Sequence, residues 1–239
     1  MDYIVTEPAV RIVGGILFLF IAYSVWMGGM KAKGLPDCYD NPVLALELVK
    51  SGAHIEQIVK AESGAAAKFI RTSTHKDFGF IPVYALSFIA LSLLLARSNP
   101  GWLSRVGLLA AVCAGLAAIL DLAENRGMLR AIAGEATDSL ANSIRYPSLA
   151  KWGLLFIFSL LVGFLLAQRR DFFVIPAAFL LVAALLGWSG VILNLLRPRY
   201  YWMFPWAIIS LGIGVLILAV TFSFWPTKLI ARAARHASN

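Results

Sequence analysis

Residues 102–125 read WLSRVGLLAAVCAGLAAILDLAEN. From Val106 to Leu120 nothing carries a charge, and no polar–apolar alternation marks a half-exposed strand. A helix rises about 1.5 Å per residue, so roughly 20 apolar residues cross the ~30 Å hydrocarbon layer of a bilayer. Just past the run stand Asp121, Glu124 and Asn125, spaced so that a helix presents them on one side. A single stretch therefore predicts a membrane span and a polar site at its end.

Working outward, the same reading recurs along the chain. Spans are predicted at 12–30, 78–96, 102–121, 152–168, 172–196 and 202–225. They make 1–239 a single all-α transmembrane domain, a polytopic bundle of about six helices. Composition agrees: 60% of the 239 residues are hydrophobic and 14% charged, against about a quarter charged in soluble domains. Trp26, Trp102, Trp152, Trp202 and Trp225 fall near span ends, where indoles favour the headgroup zone. The span at 152–168 is short unless Lys151 and Arg169 reach outward to the headgroups. Gly107, Ala111 and Gly115 form a smooth ridge that predicts central packing for the third span.

Two connections are long. In 31–76, Asp40 or Asn41 reads as a helix cap with Pro42 in the first turn. Ile55, Ile58, Val59, Phe69 and Ile70 then recur at a helical period broken by Lys60, Lys68 and Arg71. This pattern predicts one or two amphipathic helices lying on the membrane surface or capping the bundle. The second connection, 125–151, begins as an extension of the third helix, stops near Gly134 and continues as a loop to Pro147.

The net charge of +8 is scattered between apolar runs instead of gathered on one face. Anionic lipid headgroups, not nucleic acid, are the partners this distribution implies. Cys38 and Cys113 lie at different depths, which argues against a disulfide between them. The first apolar run ends without a cleavage-type site and reads as a retained span. Raw counts of Lys and Arg favour the long connections inside. The short connections with Arg97, Arg105, Arg169 and Arg170, together with the basic tail, outweigh them and favour both termini in the cytoplasm. Compactness and short loops point to a bacterial inner membrane.

Alternating spans bring the start of the second, the end of the third, the start of the fourth and the end of the fifth to one membrane face. The candidate site residues there are Asp77, Asp121, Glu124, Asn125, Lys151, Asn194 and Arg197. A carboxyl group at the edge of the hydrocarbon is costly unless paired or wetted, so these residues line a polar pocket or tie helices together. Arg126, Arg130 and Lys151 are available as structural partners, and the tie is the commoner case. His75, Asp77, Asp121 and Glu124 offer a metal-ligand chemistry but no ligand spacing, so neither a metal nor a cofactor is expected. The run from Arg197 to Trp202 reads as an interfacial anchor.

Several chemistries are excluded. No histidine falls inside a predicted span to ligate haem, no lysine falls mid-span for a Schiff base, and no carboxylate falls at the midplane for a proton relay. Walker, dinucleotide-glycine, HExxH and GxSxG motifs are all missing. The sequence leans to a non-catalytic protein that binds or moves a lipid or small amphiphile, or serves as a subunit of a membrane assembly. Its partners are then lipids, other membrane subunits or further copies of itself. Two alternatives remain: an enzyme acting on a lipid head group through the carboxylate cluster, and a small-solute transporter.

Overall fold

A computed structural model describes residues 5–99, 101–169, 172–196, 203–227 and 229. It is 85% helical, with no strand among the described residues. The helices are α1 (Glu7–Met27), α2 (Pro42–Glu47), α3 (Gly52–Lys60), α4 (Ala65–Arg97), α5 (Trp102–Ile132), α6 (Asp138–Ala167), α7 (Val174–Leu196) and α8 (Met203–Phe224). All but α2 and α3 are long and apolar enough to cross a bilayer. Leu86, Ile119, Leu185 and Phe224 stand exposed on the outer surface, an arrangement suited to hydrocarbon and not to water.

The six long helices form a closed ring in chain order. Each packs on its sequence neighbour, and α1 closes the circle by packing on both α4 and α8. Arg11 on α1 donates from Nη1 to the Ser223 carbonyl at 2.6 Å, which sets the start of α1 beside the end of α8. Close approaches rest on glycines. A Cβ at Gly107 would meet the Ala96 backbone at 2.8 Å, and one at Gly187 would enter the Phe156 ring. The centre is filled by large apolar side chains, including Phe20, Phe88, Phe158 and Leu165.

The first connection is built into this ring. Asn41, not Asp40, caps α2, accepting from the Val43 and Leu44 amides. Pro42, Leu44, Ala45, Leu46 and Glu47 are all buried, so α2 plugs one end of the bundle against α4, α5 and α6. Ser51 caps α3, and Gly52 touches the Ala136 carbonyl so closely that no side chain fits there. Asp138 Oδ1 accepts the Gly52 amide at 2.7 Å, locking α3 to the start of α6.

Three expectations are corrected. The second connection is not a loop to Pro147: α5 runs to Ile132, Gly134 turns with φ +106°, and Thr137 caps α6 at Leu140. Pro147 sits inside α6, where packing against neighbouring helices holds a continuous helix despite the missing amide. The earlier start of α6 places Lys151 within the helix with its side chain turned inward, not out to the headgroups. Arg169 is likewise buried, donating to Ser98 Oγ at 2.6 Å. The more deeply buried span is α6 and not α5, whose Leu109, Val112 and Leu116 face outward.

The Gly187 contact yields a direct expectation. Gly187→Val forces Phe156 off its seat and lowers stability by about 1–3 kcal/mol. Gly212→Ala, at a position with open space around it, stays within about 0.5 kcal/mol of wild type. Denaturation in mixed micelles measures both.

Candidate functional site

The site grows from three helices that each bring a charge to one end of the bundle. On α6, Lys151 is 4% exposed, and an ammonium so deep needs counter-charge. On α5, Asp121 and Glu124 supply it: Lys151 Nζ lies 2.9 Å from Asp121 Oδ1 and 2.8 Å from Glu124 Oε2. From α2 comes Glu47, whose Oε1 is 3.5 Å from Nζ and whose Oε2 accepts Trp152 Nε1–H at 2.9 Å. The ammonium also stands 5.1 Å from the Trp152 ring centroid.

Hydrogen bonds extend the cluster onto α4. The Tyr84 hydroxyl donates to Asp121 Oδ2 at 2.9 Å, so both oxygens of that carboxylate hold a donor. Asn125 Nδ2 donates to Asp77 Oδ2 at 2.7 Å. Asp77 Oδ1 receives no donor, and Asp77 forms no ion pair, among the described residues. Glu124 is fully buried, with Oε2 in a 2.8 Å ion pair to Lys151 Nζ and Oε1 without a hydrogen-bond partner among the described residues.

Beside this cluster lies a cavity of about 270 Å³ inside the ring. Glu47, Asp77, Asp121 and Lys151 line it. Aromatic rings from α1 and α4 line it as well: Phe20 stacks on Phe80 at 5.6 Å and lies 5.0 Å from Phe88, while Tyr84 bridges Phe80 and Phe88. The α4 part of this lining arises because residues 77, 80, 84 and 88 recur three or four apart along the helix. Val43 and Glu47 of α2 border the cavity at the end nearest the first connection.

Of the residues singled out from sequence, Asp77, Asp121, Glu124, Asn125 and Lys151 come together here. Asn194 does not line the cavity; it is buried on α7 with its Nδ2 donating to the Tyr39 hydroxyl at 2.9 Å. Arg197 lies outside the described residues. His75 is exposed on α4, and no group of three His, Cys, Asp or Glu side chains is arranged to hold a metal among the described residues. Lys76, next to Asp77, turns away and donates to the Trp26 carbonyl.

The sequence reading missed Glu47, Tyr84 and Trp152. Glu47 carried a usable signal, since it is the lone acid in the apolar run Val43–Val49. Trp152 was read as a headgroup anchor, and Tyr84 sits mid-span without any mark beyond its hydroxyl.

Fold and site together define a multi-pass α-helical integral membrane protein with a polar cluster and a cavity inside its bundle. Compared with protein families, curated proteins and solved structures, the chain matches none.

The geometry makes Lys151 the test of the cluster. Lys151→Met strands three acidic groups and costs about 3–5 kcal/mol, the usual penalty for breaking a buried pair. Adding Glu124→Leu removes one stranded group and recovers part of the loss, so the two substitutions are not additive. A double-mutant cycle in mixed micelles measures the coupling, and strict additivity contradicts it.

Proposed function

We propose that this protein is a non-catalytic membrane protein that binds a small amphiphilic molecule in the cavity within its helical ring. The observation that carries the reading is the cavity itself, lined by aromatic rings together with charged and hydrogen-bonding groups. A guest with an apolar body and a polar end matches both kinds of lining, as small-molecule sites usually combine broad apolar walls with a few placed polar groups. Asp121 holds donors on both oxygens and Glu47 is held by Lys151 and Trp152, which leaves Asp77 as the lining acid with an oxygen open to a guest.

The proposed setting is a bacterial inner membrane with both termini in the cytoplasm and lipid around the ring. The basic connections on the terminal side favour this orientation. The cavity and α2 then lie toward the opposite, periplasmic side, because α1 ends and α4 begins there.

Native mass spectrometry of protein extracted in a neutral detergent tests the binding reading. A small amphiphile is expected to travel with wild type. It is lost in Ser24→Phe, which fills the cavity from α1 without touching the charged cluster. Wild type that carries no adduct under any gentle extraction, including after incubation with short-chain amphiphiles, contradicts the reading. Alkaline phosphatase fused after Phe224 reports orientation, and activity there contradicts cytoplasmic termini.

A further inference from the structure

The amphiphile reading leaves the charge of the guest open, and the cluster closes it. Resting on that reading, we propose that the cavity takes an organic cation: a small amine or quaternary ammonium with an apolar body.

Three carboxyl groups, those of Glu47, Asp77 and Asp121, line the cavity beside one ammonium, that of Lys151, which also pairs with Glu124. Lys151 is the sole basic residue among the described side chains that line the cavity, and it is already shared among three acids. In a water-poor interior, such an excess of acid repels a phosphate or carboxylate guest and attracts a cation.

Asp77 borders the cavity, one oxygen is held by Asn125, and the other has no donor among the described residues. Lys76 adjoins it in sequence but is drawn off to Trp26, 4.3 Å over that ring. Glu124, 0% exposed, shares the same ammonium through Oε2 at 2.8 Å, while its Oε1 has no hydrogen-bond partner among the described residues.

Four aromatic residues, Phe20, Phe80, Tyr84 and Phe88, border the same space and pack on one another. Aromatic faces attract ammonium groups, quaternary ones included, and also accept an alkyl body. Such a lining is wrong for a hard metal ion, which asks for a shell of six or more oxygens. Lys151 already occupies the middle of the acids where such an ion would sit.

The experiment uses the full chain in a neutral maltoside detergent and three probes with one chain length and different heads. These are n-hexylammonium, 1-hexanol and n-hexyl phosphate, with affinities measured by isothermal titration calorimetry. The expected order is hexylammonium tightest, at least about tenfold ahead of hexanol, with hexyl phosphate weakest. Asp77→Asn is expected to weaken hexylammonium about tenfold and to leave hexanol unchanged. Hexanol or hexyl phosphate binding as well as hexylammonium overturns the cation assignment and leaves the amphiphile reading standing. Binding of none of the three overturns both. The probe order is read on wild type alone, so it holds even if the Asp77 variant fails to fold.

Discussion

An ammonium group inside a helical bundle demands acids, and the demand of Lys151 organises this end of the molecule. Asp121 and Glu124 come from α5, directly alongside α6. A third acid, Glu47, comes from a helix that belongs to no span. Drawing Glu47 inward carries all of α2 with it. A short, apolar connecting helix thereby becomes a buried plug instead of a surface ribbon. The indole of Trp152 holds the second oxygen of Glu47, so the plug is fastened at two points.

The cavity follows from the same constraint. The charged groups hold α2, α5 and α6 in register beside the cavity, while α1 and α4 line it with aromatic rings and α4 adds Asp77. Tyr84 belongs to both sets: its ring is part of the aromatic lining and its hydroxyl reaches Asp121. Toward the other end of the ring the interior closes with Phe158, Leu165 and Leu166, and glycines bring the helices into contact. Space is thus left where polar groups need room and removed where only apolar groups meet.

The fold was legible in the sequence because a bilayer leaves so few solutions. Each backbone polar group must be satisfied within its own segment, so a charge-free run of sufficient length becomes a helix. The spacing of Asp121, Glu124 and Asn125 was legible for a related reason, since helical periodicity sets them on one side. Hydropathy failed where helices outrun the hydrocarbon. Residues 138–151 are polar enough to read as loop, yet Thr137 caps them, Asp138 fastens them to α3, and α6 runs through them. Lys151 therefore appeared to be an interfacial residue when it is an internal one. Glu47 was invisible as a partner because its link to Lys151 spans 104 positions and no local period reports it. Asn194 had the polarity of a site residue, but its partner is Tyr39 in the first connection, a second tie between that segment and the spans.

The charged cluster makes the first connection an integral part of the bundle. Hydrogen–deuterium exchange of the whole protein in detergent tests it most directly, read on peptides covering α2. Protection in α2 should match that of α5 in wild type, and it should fall in Glu47→Gln while α5 keeps its own. Exchange of α2 in wild type as rapid as that of an exposed turn such as 133–137 would contradict the account.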